Sequence, residues 1–266
     1  MKQLLEKFYT KPANEAAVDI VEKYQQEWFS VVNFIYFANI VSQKLFDENE
    51  KTEKEKEYKK ILLKSDFLLP DWIALQVFYA MAKLSWRIKS SCTWLPNLNW
   101  TDFVPYFLSE TKKKYWAQKL CILLYWTKQE HLDKVVEKLK YQWFNVIYAQ
   151  DGFSDFDWDA AQKALDEYQD TINILLVARS TTKIPLQELW TNRNYQKIQQ
   201  NRILVFNTWW LFDFIAWAQK RAPKIWRKLK LEWCYRLFSD PKRNINKVIN
   251  SLAIFPYTIK YIILWK

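Results

Sequence analysis

The 266-residue chain contains a single glycine, Gly152, where average usage of about 7% predicts roughly 19. Tight hairpin turns, β-bulges and left-handed helix ends prefer glycine, so an all-β or doubly wound α/β fold is difficult to build without it. Asparagine, aspartate and proline are enough to separate helices from one another. The scarcity of glycine therefore predicts an all-α protein, a bundle or irregular array of about 8–11 helices with little or no sheet.

The same scarcity excludes several kinds of phosphate and nucleophile site. The phosphate-binding loop GxxxxGK[ST], the dinucleotide-binding turn GxGxxG and the nucleophile elbow GxSxG all require glycines that this chain lacks. The sequence gives no indication of a cofactor or of a small-molecule substrate.

Histidine is equally rare, since His131 is the only one. A Ser–His or Cys–His nucleophile pair would have to use it. No nucleophile stands near it in the sequence, and Glu130 and Asp133 flank it. We interpret His131 as a solvated side chain in the first turn of a helix.

The three cysteines, Cys92, Cys121 and Cys234, are far apart and show no CxxC spacing. This arrangement does not favour a structural zinc site. Each cysteine stands among apolar residues, which predicts buried thiols in a reducing compartment. The N-terminal sequence has no apolar segment followed by a small-residue cleavage site, so we expect a cytoplasmic protein.

Two long apolar runs cover Trp28–Val41 and Ile203–Ala218. Both are shorter than about 18 residues and contain polar breaks, which favours buried core helices over membrane spans. Further helices are predicted over most of the chain. The main segments are residues 15–48, 71–90 with Asp71 as the cap, 109–127, 130–149 and 157–179.

The net charge of +11 is concentrated in the last third of the chain. Residues 183–266 contain 16 basic and 4 acidic side chains, whereas residues 1–182 contain 24 basic and 25 acidic ones. We therefore divide the chain into a neutral helical body, 1–182, and a basic, tryptophan-rich helical region, 183–266, packed continuously on it. A charge asymmetry of this size indicates a polyanionic partner.

Lysine and arginine neutralise phosphates, and exposed aromatic rings stack on unpaired bases. We therefore predict a non-catalytic nucleic-acid-binding subunit of a larger assembly such as a ribonucleoprotein, with RNA or single strands favoured over duplex DNA. The residues predicted to contact phosphate are Arg193, Lys197, Arg202, Lys220, Arg221, Lys224, Arg227, Lys228, Lys230, Lys242 and Arg243.

Three alternatives remain open. The first is a helical adaptor whose surface tryptophans form protein-binding hot spots. The second is binding to an anionic membrane surface through the lysine-rich helix that begins near Pro223. The third is a Mg²⁺-dependent helical enzyme that uses Asp159, Asp166 and Asp170.

The acidic segment that suggests this enzyme, residues 151–170, also resembles a calcium loop in its spacing, but the position that requires glycine is Ala160. A simpler interpretation is that Asp155 or Asp157 caps a helix. That interpretation needs no metal, and we favour it.

Overall fold

The centre of the protein is a six-stranded, wholly parallel β-sheet with strand order β2-β1-β6-β5-β3-β4. A computed structural model describes residues 1–47, 52–125, 127–179, 185–216, 222–223, 225–226, 232–239, 245, 249 and 252–264. The strands are β1 Ser30–Tyr36, β2 Phe67–Asp71, β3 Leu120–Tyr125, β4 Asn145–Gln150, β5 Ile172–Val177 and β6 Ile203–Asn207.

Helices alternate with the strands along the chain. They are α1 Lys2–Glu6, α2 Ala13–Glu27, α3 Phe37–Ser42, α4 Glu53–Lys64, α5 Ile73–Leu84, α6 Trp100–Tyr115, α7 Gln129–Tyr141, α8 Trp158–Asp166, α9 Leu186–Arg193, α10 Tyr195–Gln200, α11 Leu211–Ile215, α12 Glu232–Ser239 and α13 Ile254–Thr258. A 3₁₀ turn at Ala117–Lys119 precedes β3, and a π-helical turn at Ile259–Ile263 follows α13.

The prediction of an all-α fold is therefore wrong. The apolar run Trp28–Val41 contains β1, and Ile203–Ala218 contains β6 followed by the short helix α11. The segments predicted as helices at 109–127, 130–149 and 157–179 end in β3, β4 and β5. Strands that are covered on both faces are apolar at almost every position, so they do not show the alternation that identifies a half-exposed strand.

Helices cover both faces of the sheet, and alternate strand residues face opposite ways. In β1, Val32 and Phe34 pack with α2, α6, α7 and α11, whereas Val31 faces the cluster that includes residues of α8 and α10. Helix α4 packs against α9 on this second face. A further cluster joins α1, α4 and α5 to Tyr261 and Ile262 near the C-terminus.

A buried polar chain crosses the middle of the sheet. The Asn207 amide on β6 donates to Asn33 Oδ1 on β1 at 2.6 Å, and the Asn33 amide donates to Ser65 Oγ at 2.6 Å. Thr191 Oγ1 of α9 donates to Asn207 Oδ1 at 2.9 Å. These bonds fix α9 and the end of α4 against β1 and β6.

Tryptophan occupies backbone positions that normally favour glycine. Ten non-glycine residues have positive φ within the described ranges, and six of them are tryptophans. They are Trp28, Trp72, Trp86, Trp116, Trp143 and Trp209. The expectation that a doubly wound fold is difficult to build without glycine was wrong, because other residues, mostly tryptophan, occupy the positive-φ positions of the described ranges.

No helix in the described ranges combines the length and the apolar character that crossing a bilayer would require. The division of the chain at residue 182 stays a prediction. β6, which lies beyond that residue, pairs with β1 on one side and with β5 on the other.

Candidate functional site

Open parallel sheets bind ligands outside the carboxyl ends of their strands, where neighbouring connections leave in opposite directions. Here the chain leaves β5 toward β6 but leaves β3 toward β4, so the strand order reverses between β5 and β3. β1, β2 and β6 end at the same edge of the sheet. Groups that can carry chemistry are therefore expected at this edge.

Asp71 ends β2 at this edge, directly beside the last residue of β1, Tyr36. The residue is buried, with 9% of its surface exposed. The prediction that Asp71 caps α5 is wrong, because the N-cap is Trp72 and no side chain caps this helix. The Trp72 amide donates instead to Asn97 Oδ1 at 3.2 Å.

Tyr36 carries a phenol that stays protonated. Burial raises the pKa of Tyr36 well above its ordinary value, and the carboxyl groups of Asp71 and Glu188 raise it further. Its backbone N–H lies 3.4 Å from Asn39 Oδ1, in the helix that follows the strand. A neutral phenol can donate a hydrogen bond to a neighbouring carboxylate or to a bound ligand.

Glu188 lies in the first turn of α9 and is completely buried. Burial raises the pKa of Glu188 to about 7, although the hydrogen bond from Gln187 acts in the opposite direction. Glu188 Oε1 accepts from Gln187 Nε2 at 3.0 Å, whereas Glu188 Oε2 has no hydrogen-bond partner among the residues that the structure describes. A carboxyl group in this state exchanges its proton near neutral pH.

Gln187 connects this carboxyl group to the end of β6. Gln187 Oε1 accepts a hydrogen bond at 2.9 Å from the backbone N–H of Trp209, two residues beyond the strand. Tyr58 of α4 adds a second buried phenol, whose pKa is raised by burial and then by Glu188 and Tyr36. Within the described ranges, the Tyr58 hydroxyl has no hydrogen-bond partner. Two phenols and a carboxyl group with a raised pKa thus surround the end of β1.

Arg179 brings a positive charge to the same edge of the sheet, two residues after β5. Burial lowers the pKa of Arg179, and interactions with Tyr125 and Asp155 oppose this shift. Arginine remains protonated at neutral pH even so. Its guanidinium group is suited to contact with a phosphate or diphosphate.

Three of the residues predicted to contact phosphate lie within the described ranges. Arg193 is the last residue of α9 and lies beside the groove between α4 and α9. Lys197 Nζ lies 5.8 Å from the centre of the Trp158 ring. The Arg202 guanidinium lies 5.3 Å from the centre of the Trp28 ring. Arg202 directly precedes β6, so it lies at the opposite edge of the sheet from Asp71. Their role in phosphate contact stays a prediction.

The other eight residues predicted to contact phosphate lie outside the described ranges. They are Lys220, Arg221, Lys224, Arg227, Lys228, Lys230, Lys242 and Arg243.

The acidic segment 151–170 forms a helix cap, as we favoured. Asp157 Oδ1 accepts from the Ala160 backbone N–H at 3.0 Å and caps α8. In the part of the chain that the structure describes, no three His, Cys, Asp or Glu side chains come together as a metal site would require. His131 lies in the first turn of α7, with Nδ1 3.3 Å from Asp213 Oδ1.

A comparison with known protein families contradicts the functional prediction. Residues 14–264 match the profile of the glycosyl transferase WecG/TagA/CpsF family. This match overturns the interpretation of the chain as a non-catalytic, nucleic-acid-binding or RNA-binding subunit, and with it the predicted nucleic-acid partner. The family is one of group-transfer enzymes, and the match extends over almost the whole chain. The protein therefore belongs to the glycosyl transferase WecG/TagA/CpsF family.

Proposed function

We propose that this protein transfers a glycosyl group from a nucleotide-activated sugar to a hydroxyl group of an acceptor. Membership of the family supports the reaction class. The observation that carries the site is the placement of Asp71 beside Tyr36, at the carboxyl ends of neighbouring parallel strands. This edge is where α/β sheets bind nucleotides and related ligands.

Asp71 is the general base of the proposed reaction. The acceptor oxygen forms a bond to the anomeric carbon, the bond from that carbon to the diphosphate breaks, and Asp71 takes the proton of the acceptor hydroxyl. Positioned general bases typically contribute about 10²- to 10⁴-fold to a rate. The neutral Tyr36 phenol beside Asp71 can hold either this carboxylate or the acceptor by a hydrogen bond.

Glu188 acts as a positioning residue. It is fully buried, so substrate cannot reach it from solvent without rearrangement of the fold. It holds the Gln187 amide, and Gln187 in turn holds the backbone N–H of residue 209. This chain fixes the turn after β6 against the start of α9, next to the end of β1.

Arg179 is the proposed partner of the donor diphosphate. Its position after β5 places it at the reversal of strand order, and negative charge develops on the diphosphate as the sugar leaves. Fixed cations at such a position stabilise the leaving group without rearrangement.

A reducing, cytoplasmic location is part of this proposal. The three cysteines are free thiols, which suits such a compartment.

Ligand-induced stabilisation tests the proposal without knowledge of the acceptor. The full-length protein is heated with a panel of nucleotide sugars that differ in base and in sugar, with the matching nucleoside monophosphates, and with single-stranded RNA. A ligand present at 100 times its Kd stabilises the folded state by about 2.7 kcal/mol, which a thermal melt detects. We expect at least one nucleotide sugar to raise Tm more than its monophosphate does. A rise with RNA alone would contradict the proposal.

A further inference from the structure

The number of tryptophans with positive φ, six, is far greater than a random distribution of residues would give. Tryptophan makes up 16 of the 266 residues, so a random distribution would put fewer than one of them among the ten positive-φ positions. Bulky side chains are genuine outliers in this region because their Cβ atoms collide with the backbone. Packing alone therefore does not explain tryptophan at these positions.

Two of the six adopt a conformation that is essentially restricted to glycine. Trp72 has φ 77° and ψ 151°, and Trp116 has φ 66° and ψ 150°. Positive φ combined with extended ψ is a region in which residues with a Cβ atom are strongly disfavoured. These two residues begin and end helices, respectively, where the chain changes direction sharply.

Two others stand at the glycine position of a helix-ending turn. After α5, Trp86 N–H donates to Lys83 O at 3.1 Å and Arg87 N–H donates to Ala82 O at 2.9 Å. This pair of bonds defines a Schellman turn, whose left-handed residue is usually glycine.

The same turn follows α7. There Trp143 N–H donates to Lys140 O at 2.8 Å and Phe144 N–H donates to Leu139 O at 3.0 Å. Trp86 and Trp143 are 92% and 80% exposed, so burial of the indole does not explain either residue.

Two tryptophans with ordinary φ use their indoles in ring packing, and one of them also in hydrogen bonding. The rings of Trp158 and Trp190 are stacked, 6.1 Å apart and 4° from parallel. Trp158 Nε1 also donates to Asn194 Oδ1 at 3.0 Å. Neither residue has positive φ. Backbone conformation separates the six positions from these two, although Trp209 among the six is also buried and its Nε1 donates to Phe34 O at 3.4 Å.

Composition agrees with this division. The chain has one glycine where average usage predicts roughly 19, and it has sixteen tryptophans. We propose that Trp28, Trp72, Trp86, Trp116, Trp143 and Trp209 occupy glycine sites, and that their codon is UGA, which the cell of origin reads as glycine. UGA is a stop codon in the standard genetic code, tryptophan in some bacterial codes and glycine in others. The protein made in its own cell then carries glycine at these six positions.

Glycine at two of the six positions alters the shape of the candidate site. The assignment of glycine sites itself does not depend on the proposed function. The indoles of Trp72 and Trp209 flank Tyr36, with ring centres 6.3 Å and 5.5 Å from the Tyr36 ring. Trp72 directly follows Asp71 in the chain. Glycine at both positions removes two large side chains from the carboxyl ends of β1, β2 and β6. The space they leave opens a cleft beside Asp71 in which the backbone can approach a ligand closely.

The codons of the gene give the first test. We expect UGA at all six positions and UGG at Trp158 and Trp190. Peptide mass spectrometry of the protein from its own cell must then find glycine at the six positions. UGG at these positions, or tryptophan in those peptides, overturns the inference.

Stability gives a second test that does not involve the gene. The exposed residues Trp86, Trp116 and Trp143 are replaced together by glycine in one full-length variant and by alanine in another. Both changes remove an exposed indole, but only glycine also removes the Cβ atom that opposes positive φ. We expect the glycine variant to melt at a higher temperature than the parent and the alanine variant, with the folding equilibrium constant rising about tenfold per position relative to alanine.

A single matched pair extends this test. Trp28 and Trp94 are 44% and 46% exposed, but only Trp28 has positive φ. Trp28→Gly is expected to raise Tm relative to Trp94→Gly. Equal melting of the triple glycine and triple alanine variants, or a lower Tm for Trp28→Gly than for Trp94→Gly, contradicts the assignment of glycine sites.

Discussion

Tyr36 and Asp71 are register partners at the carboxyl ends of β1 and β2, and the Asp71 carboxyl group adds to the effect of burial in raising the pKa of the Tyr36 phenol. The pair places a hydrogen-bond donor that stays protonated next to a carboxylate. That combination is suited to general-base chemistry, because the donor orients a group that must accept a proton.

Replacement of Tyr36 tests this relationship. Tyr36→Phe removes the donor but keeps the ring that packs at the end of β1. We expect kcat/KM for glycosyl transfer to fall about tenfold. The acidic limb of its pH profile should move to higher pH, because a carboxylate that loses a donor is more easily protonated. Tyr141→Phe, in an exposed residue of α7, is the control. An unchanged pH profile in Tyr36→Phe would show that the phenol does not act on the base.

Glu188 makes stability depend on pH. Its folded-state pKa of about 7 lies above the ordinary value of 4.5, so the folded protein binds more protons than the unfolded chain between these pH values. Stability therefore falls as pH rises from about 4.5 to about 7, by up to about 3 kcal/mol, and this contribution is constant above that range.

Glu188→Gln removes the ionisable group. The free energy of unfolding of this variant, measured in urea, should therefore not show the decrease between about pH 4.5 and pH 7 that Glu188 causes. The variant should gain most over the parent at pH 8. Parallel pH profiles for the two proteins would rule out a carboxyl group with a raised pKa. Glu110→Gln, at a carboxylate paired with Lys113 on the surface of α6, provides the control.

The buried polar chain at the centre of the sheet is expected to contribute strongly to stability. Asn207→Ala removes the donor to Asn33 Oδ1 and the acceptor of Thr191 Oγ1, and leaves both groups buried. We expect a loss of about 2 kcal/mol or more in the free energy of unfolding. Asn14→Ala, at an exposed position of α2, should change it by less than about 0.5 kcal/mol. Similar values for the two variants in urea denaturation would be incompatible with a structural role for this chain.

Arg179 should affect both donor binding and turnover, because in the proposed site it contacts the bound diphosphate and the charge that develops on it as the sugar leaves. If its guanidinium holds the diphosphate, Arg179→Ala raises KM for the nucleotide sugar about tenfold or more. Lys56→Ala is the control, because Lys56 lies on the surface of α4 and pairs with Glu53. A KM for the donor that does not change in Arg179→Ala would remove this residue from the proposed site.

The sequence predicted local features better than the fold. Asp157 was correctly expected as a possible cap of α8, because the preference for a side-chain oxygen at an N-cap is a local rule. The strands were missed because β1, β3 and β5 are buried on both faces and apolar at most positions. Periodicity cannot separate such strands from buried helices. The scarcity of glycine added to this error, because it argued against a fold that needs residues with positive φ. In the described ranges, six of the ten such residues are tryptophans.

The site was hidden for a related reason. Asp71 followed an apolar segment and preceded a helix, so a helix cap explained it fully at the level of sequence. Its partner Tyr36 is 35 residues away, and Gln187 and Glu188 are more than 100 residues away. Only the order of strands in the sheet brings these residues to one edge. The positive charge of the last third is a property of composition and can be counted without knowledge of the fold. For this reason it dominated the functional prediction.

The most direct test of the account is glycosyl transfer itself, measured as acceptor-dependent release of nucleoside diphosphate from the donor that stabilises the protein. It is run on the chain with tryptophan at positions 72 and 209 and on the chain with glycine at both, each with Asp71 intact or changed to Asn. Asp66→Asn, at the amino end of the same strand, is the control, since its carboxylate accepts a hydrogen bond from Val31 N–H at 2.8 Å far from the proposed site.

We expect the chain with glycine at positions 72 and 209 to release nucleoside diphosphate. Asp66→Asn should keep most of this activity, whereas a folded Asp71→Asn variant should lose about 10²-fold or more. Undiminished release by Asp71→Asn, or no release by either chain with any nucleotide sugar that binds, would contradict the proposed function. Neither result would affect the assignment of glycine sites, which depends on codons and stability.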